Sequence, residues 1–295
     1  MMKVLNFGSM NLDHVYSVDH FVRPGETLAV TGRALKFGGK GLNQSIALAR
    51  AGARVFHAGC VGEGGENLKQ RLERDGVDTS LIREVDDAQG HALIQVDPRG
   101  ENSILLYGGS NRRVTKEQVT FTLDRFSPGD WLVLQNEISL LPFIVDEAHA
   151  RGLVIALNPS PYDPSLRDVD FSKLSWVLLN ALEAFEITGE KDPDAAFDRL
   201  HALWPRLSAV ITLGSQGSAA RRVTSNGTER ARIPAEKVTA VDTTGAGDTY
   251  TGYFIAGLME GLPLRECMER AGRAAAVSVT RPGAADSVPL RAELD

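Results

Sequence analysis

Asp248 lies in the run Val241-Asp242-Thr243-Thr244-Gly245-Ala246-Gly247-Asp248-Thr249, a carboxylate beside two glycines. Tyr250, Tyr253, Phe254, Ile255 and Leu258 follow at helical spacing with Gly261 as a stop, so the pattern predicts a helix over 249–259. The turn therefore opens a helix N-terminus. There the N–H groups of Gly245, Ala246, Gly247 and Asp248 point outward without acceptors, and the glycines let an anion approach the backbone closely. Such a nest suits a phosphate. A carboxylate in the same turn repels phosphate and makes chemical sense as a base that takes a proton from the attacking group. The chemistry suggested is phosphoryl transfer to a hydroxyl. The plain alternative is that Asp248 caps the helix and the glycines only tighten the turn.

A second glycine-rich run, Phe37-Gly38-Gly39-Lys40-Gly41-Leu42-Asn43-Gln44-Ser45, leads into a small-residue helix ending at Gly52. It is not a Walker loop, which would need Gly at Ala34 and Ser or Thr at Gly41. Lys40, Asn43 and Gln44 on a glycine-lined turn could instead hydrogen-bond the hydroxyls of a sugar. Alone, the run reads equally as a tight helix entry. Two further segments are ambiguous by themselves. Asn180 and Glu183 have capping-box spacing after an apolar run, and Thr212-Leu213-Gly214-Ser215-Gln216-Gly217 could be an ordinary turn.

Together the two glycine-rich runs resemble the paired signatures of the ribokinase-like carbohydrate kinases (phosphofructokinase B type), G-G-K-G-x-N-Q and D-T-x-x-A-G-D. The resemblance extends from Gly8-Ser9-Met10-Asn11-Leu12-Asp13 to the segment 279–289. It implies an ATP-dependent sugar kinase with Asp248 as base and Gly245, Ala246 and Gly247 completing the anion hole. The same resemblance implies that Asn11, Asp13, Gly39, Lys40, Gly41, Asn43 and Glu137 contact the sugar. Asn180, Thr212, Gly214, Ser215 and Gly217 are then expected at the ATP, and Glu183 at a hydrated Mg2+. Asp242, Thr244, Ser278, Arg281, Gly283 and Ser287 match a K+ site. The implied acceptor is a small neutral sugar, with ribose leading, because pocket carboxylates repel a sugar already phosphorylated. A nucleoside (adenosine) kinase, a 2-keto-3-deoxygluconate or fructose kinase, and a non-catalytic sugar sensor are the alternatives. Three places depart from the family pattern: Gly62 to Glu66 is short, Tyr107 to Asn111 differs near the sugar, and Gly272 offers no side chain where the adenine is expected.

These residues need a scaffold. Apolar runs at Val55–Ala58, Trp131–Leu134, Val154–Leu157, Trp176–Leu179 and Val210–Leu213 alternate with helical patterns at Asn67–Arg74, Pro142–Arg151 and Ala195–Leu203. That alternation predicts an α/β fold: an open, mainly parallel sheet with helices on both faces and ligands beyond the carboxyl ends of the strands. Two β stretches break the alternation, His14–Val18 with Thr27–Phe37 and His91–Val96 with Ser103–Tyr107, the latter pair joined at Asp97-Pro98-Arg99-Gly100. By the resemblance they form a small lid that excludes water and pairs with a second subunit in a homodimer. The expected organisation is one kinase domain over 1–295, with lid strands inserted at about 14–37 and 91–107.

Composition is compatible with this and excludes other classes. The chain has 295 residues, 43% hydrophobic and 24% charged, enough for a substantial core. A formal charge of −6 with no basic run argues against a nucleic-acid partner. No long apolar segment is present, so neither a signal peptide nor a membrane partner is expected. Two distant cysteines, Cys60 and Cys267, suggest the reducing cytoplasm. None of the six histidines shows a metal or triad spacing, and Gly62-Glu63-Gly64-Gly65-Glu66-Asn67 lacks the third glycine of a dinucleotide loop.

Overall fold

A computed structural model of the protein describes residues 2–294. Its main sheet has nine strands in the order β13-β12-β11-β10-β9-β8-β1-β4-β5. β1 (Val4–Phe7) lies parallel between β4 (Val55–Glu63) and β8 (Trp131–Gln135), and β5 (Asp78–Ala88) extends the β4 side. β9 (Val154–Asn158), β10 (Trp176–Asn180) and β11 (Ser208–Thr212) continue in parallel beyond β8, and β12 (Ser218–Thr224) with β13 (Gly227–Ile233) closes that edge as an antiparallel hairpin.

The apolar runs are continuous because both faces of the sheet are covered. Leu5, Leu132, Leu134, Ile155 and Val177 face one core layer, with Ile144 and Val145 of α4 (Leu141–Ala150) and Phe197 and Leu200 of α6 (Pro193–Leu203). Val4, Trp131, Val133, Ala156 and Leu178 face the other, with α1 (Lys40–Arg50), α2 (Glu66–Arg74), α7 (Ala246–Met259) and α8 (Leu264–Val279). Each fully buried Leu, Ile or Phe contributes about 1.5–3 kcal/mol, so these two layers hold the sheet between them. The remaining helices are α3 (Lys116–Leu123) and α5 (Ala181–Thr188).

A separate four-stranded sheet has the order β3-β2-β6-β7, from β3 (Gly32–Gly38), β2 (Asn11–Ser17), β6 (His91–Val96) and β7 (Asn102–Tyr107). It is the small accessory sheet expected from the two interrupting stretches. The first pair is shorter than expected, since residues 27–30 have no regular structure and β3 begins only at Gly32. β5 carried no sequence signal, because an edge strand with the burial of Asp78–Ala88 is largely polar. Among the described residues no helix is long and apolar enough to cross a membrane.

The chain runs outward from β1 in both directions, to β4 and β5 on one side and to β8 through β11 on the other. The strand order therefore reverses at β1, and a crevice opens beyond its carboxyl end, where open α/β sheets bind ligands. The segments 8–13, 136–137, 180–183 and 212–217 all leave strands at this edge.

Candidate active site

α7 begins at Ala246, three residues earlier than the apolar stripe indicated, with Gly245 as its N-cap at φ 76. A side chain at Gly245 would also stand 2.9 Å from the Ala284 Cβ, so only glycine fits. Ala246 donates its N–H to Thr243 O at 3.3 Å. The anion nest is thus smaller than expected: among the described residues, only the Gly245, Gly247 and Asp248 N–H groups of the four have no protein acceptor. Open space faces Gly247.

Asp248 is buried and is not a cap, since it accepts from side chains rather than from the helix backbone. Its Oδ2 accepts from Asn43 Nδ2 at 3.0 Å and its Oδ1 from Gln44 Nε2 at 2.9 Å. Both donors lie on α1, which begins at Lys40, so the segment read as a glycine-lined turn is already helical. α1 and α7 meet closely because Gly252 has no side chain; a Cβ there would be 2.4 Å from the Ala47 Cβ. Gln44, expected to face the sugar, is fully buried behind Asp248 and accepts from Gln135 Nε2 at 2.7 Å. Its neighbour Asn43 keeps a buried Oδ1 with no partner.

The acceptor side gathers around Glu137, which follows β8. Its Oε2 accepts from the Lys40 N–H at 3.0 Å and from the Ser9 hydroxyl. Burial pushes the Glu137 carboxyl up, against the Lys40 ammonium and these hydrogen bonds, while the charge of Asp248 adds to the burial effect. Asp13 on β2 is pushed up to about 7 by burial and by Glu137, with Lys36 opposing. The Lys40 ammonium is disfavoured by burial, yet the charges of Asp248, Glu137 and Glu183 hold it above its usual value. Asn11 Oδ1 accepts from Asn111 Nδ2 at 2.7 Å, and Asn111 Oδ1 accepts from the Met10 N–H at 3.0 Å. Ser9, Lys36, Asn111 and Gln135 were not singled out from the sequence. Asn111 had one signal, its place in the run that departs from the family pattern.

A cavity of about 540 Å3 is lined by Lys40, Asn180, Glu183, Thr212, Gly247 and Asp248, among others. It joins a second cavity of about 340 Å3, walled by apolar residues such as Ile233, Pro234, Val238, Ala275 and Val279, along Thr212, Gly214, Thr243, Gly247 and Tyr250. Ser215, Gly217 and Gly272 line the apolar part. A polar chamber running into an apolar slot has the shape a nucleotide needs. Asn180 and Glu183 do form a capping box: Glu183 N–H donates to Asn180 Oδ1 at 2.8 Å, and Asn180 N–H to Glu183 Oε2 at 2.9 Å. Glu183 nonetheless keeps its Oε1 unpaired at the cavity wall.

Of the predicted cation residues, Asp242, Thr244 and Gly283 are joined by hydrogen bonds. Asp242 Oδ1 accepts from the Thr244 N–H at 2.9 Å and hydroxyl at 2.6 Å, and Oδ2 accepts from the Gly283 N–H at 2.8 Å. Burial opposes, but these hydrogen bonds hold the Asp242 carboxyl below its ordinary range. The Ser278 and Ser287 hydroxyls donate to Ala275 O and Ala284 O, both at 2.8 Å, and the Arg281 guanidinium points away to Glu293 at 2.6 Å. Arg281 could therefore serve a cation only through its backbone. Among the described residues no three His, Cys, Asp or Glu side chains gather as a metal cluster, and both cysteines are buried and free.

A family model described as pfkB family carbohydrate kinase matches residues 1–291. The ribokinase of Haemophilus influenzae is 35% identical over 303 residues, covering 99% of this chain and 97% of that protein. The ribokinase of Schizosaccharomyces pombe is 34% identical, covering 100% of this chain and 97% of its own. The crystal structure of ribokinase from Cryptococcus neoformans in complex with ADP superposes with a TM-score of 0.87 at 33% identity, covering 100% of this chain and 99% of that one.

Proposed function

The chain belongs to the pfkB family of carbohydrate kinases and is an ATP-dependent sugar kinase; we propose that its acceptor is ribose. The observation that carries the reading is the placement of Asp248. It is buried at the start of α7, where three N–H groups of the turn are free, it lines the polar cavity, and the charge of the buried Glu137 carboxylate acts across to it. The ribokinases of Haemophilus influenzae and Schizosaccharomyces pombe are matched over 97% of their length, and the similar ribokinase of Cryptococcus neoformans was solved in complex with ADP. Asp13 and Glu137 would repel a phosphorylated sugar and accept hydrogen bonds from the hydroxyls of a neutral one.

In this reading Asp13, Glu137, Asn11, the Asn43 Oδ1 and the backbone at Gly39, Lys40 and Gly41 hold the sugar. Asp248 accepts the proton of the attacking hydroxyl, so that the new O–P bond forms as the bond to ADP breaks. The Gly245, Gly247 and Asp248 N–H groups, with Ala246 fixing the turn, stabilise charge on the transferring group. Asn180, Thr212, Gly214, Ser215 and Gly217 hold ATP in the paired cavities. Glu183 offers one free carboxylate oxygen, which fits a magnesium ion that keeps its water and takes phosphate oxygens, and would not fit a dedicated protein cage. Magnesium would neutralise phosphate charge. Asp242 and Thr244, with Ser278, Arg281, Gly283 and Ser287, would hold a K+ ion through oxygen atoms, Arg281 only through its backbone. We read residues 1–295 as one domain whose small sheet closes over the sugar and pairs two subunits, in the cytoplasm.

The test is ADP release with Mg2+ and K+ across ribose, deoxyribose, fructose, 2-keto-3-deoxygluconate and adenosine, with Asp248→Asn as the blank. Ribose is expected to give the highest kcat/KM, and Asp248→Asn to lose at least about 1,000-fold in kcat while still binding ATP. Preference for adenosine would make the protein a nucleoside kinase. Silence across the panel with ATP bound would mean either an acceptor outside the panel or a protein that uses this fold to sense.

A further inference from the structure

Behind Asp248, outside both cavities, a chain of buried side chains runs across the middle of the sheet. Gln44 Nε2 donates to Asp248 Oδ1 at 2.9 Å, and Gln44 Oε1 accepts from Gln135 Nε2 at 2.7 Å. Gln135 Nε2 also donates to Asn6 Oδ1 at 2.9 Å. Asn6 Nδ2 donates to Ser45 Oγ at 2.8 Å and to Gly41 O at 2.7 Å, and Ser45 Oγ lies 2.7 Å from His57 Nδ1. Asn6, Gln44, Ser45, His57 and Gln135 are each 0% exposed. Gly8 makes room for the chain, since a Cβ there would stand 2.3 Å from Gln135 Oε1.

The direction of every hydrogen bond in this chain follows from its charged end. An ionised carboxylate only accepts, so Gln44 must turn its amide nitrogen to Asp248 and its carbonyl to Gln135. Gln135 must then donate to Gln44 and Asn6, and Asn6 must donate to Ser45. At the far end burial keeps the His57 ring neutral, pushing it down to about 4, so that Nδ1 can accept from the Ser45 hydroxyl. The chain is sealed from bulk solvent, and although Gln135 Oε1 and His57 Nε2 are left without a partner, each of these donors is turned by the one before.

The chain also ties the two halves of the reaction together. Gln135 ends β8 two residues before Glu137, and Gln44 lies four residues after Lys40, whose N–H holds Glu137. The same strand end and the same helix start thus carry the acceptor-side carboxylate and the support of the candidate base. Gln44 touches neither cavity.

Resting on the kinase reading above, we propose that Gln44, anchored by Gln135, is a positioning residue that locks the Asp248 carboxylate in the rotamer that aims its free lone pairs at the acceptor hydroxyl. Asn43 holds the other oxygen but cannot by itself stop rotation about the carboxylate. Loss of the Gln44 donor releases it, and a base misaimed by a fraction of an ångström loses rate without losing substrate. Charges acting on Asp248 come from Lys40 on α1 and Glu137 after β8; Glu183 on α5 shares its cavity wall, and Asp13 of β2 lies beyond Glu137. All are unchanged in the test variants.

The test compares Gln44→Met, Gln44→Glu and Gln135→Met with the parent for kcat, both KM values, melting temperature and the acid limb of kcat. Gln44→Met should lower kcat about 10- to 100-fold, with KM for sugar and ATP within about threefold. Its acid limb should move to higher pH, because a donor to the charged form of the base is gone. Gln44→Glu, nearly the same size, should move the limb further up and regain rate as pH rises. Gln135→Met should show the same pattern more weakly, and it remains a test if Gln44→Met does not fold. A folded Gln44→Met with kcat within twofold of the parent, or any variant that loses rate with an unmoved acid limb, overturns the proposal. The reading of Asp248 as base fails separately, if Asp248→Asn stays active.

Discussion

Asp13 shows at the residue scale how a buried carboxyl can cost stability. Burial and the charge of Glu137 push its carboxyl up from an ordinary value of 3.8 to about 7 in the fold. An acid raised on folding keeps a proton that the unfolded chain has lost, so the native state loses stability as pH rises from about 4 to about 7. Asp13→Asn removes that loss. The variant should melt at a higher temperature than the parent at pH 8 and level with it at pH 4, while its sugar KM rises at least about 10-fold. An equal melting offset at both pH values would mean that ionisation is not the cause. Asp248 and Asn43 stood out in the sequence as candidates because their chemistry stands beside glycines, and Glu137 was expected at the site only through the family resemblance. Gln44 was misread because neighbours on a helix differ by about 100° in direction, and the sequence does not say which of Asn43 and Gln44 faces the cavity.

At the element scale the site depends on the fit of α1 against α7. Gly252 lets these helices approach until Asn43 and Gln44 reach Asp248, and a Cβ there meets both the Ala47 side chain and backbone, at 2.4 and 2.8 Å. Gly252→Val should therefore separate the helices, costing about 1–3 kcal/mol. Urea unfolding measures that loss, and kcat should fall more than either KM. A stable variant with unchanged kcat would show that the contact does not set the site. The two helix starts were legible only approximately. Glycines at positions 39, 41, 245 and 247 look like turn residues, but 41 and 247 lie within the first turns of the helices, where tertiary contacts fix the backbone.

For the whole molecule, the small sheet is the element with unmet needs. Leu35, Leu93, Ile104, Leu105, Leu106 and Tyr107 are 40–65% exposed, a concentration of apolar side chains on one small sheet. Leu105→Glu, at the most exposed of them, should leave the kinase fold intact and shift a dimer to a monomer in light scattering. A parent that is already monomeric would end the dimer proposal. The presence of this sheet was legible from two β stretches that interrupt the helix and strand alternation. Its order was not, because β2 pairs in parallel with β6, some eighty residues away, and no local pattern encodes a partner at that distance.

The sequence by itself determined the chemistry available and the class of fold, since glycine spacing, carboxylate placement and continuous apolar strands follow from local geometry and burial. Tertiary structure decided which side chains meet. Asp248 and Gln44 are 204 positions apart, and Gln135 and Gln44 are 91 apart. Their contact exists only because β1 and β8 pair, α1 lies across their ends and α7 packs on α1. The free N–H groups, the orientation of Asp248 and the buried chain behind it are products of that packing, and no periodicity in the chain foretells them.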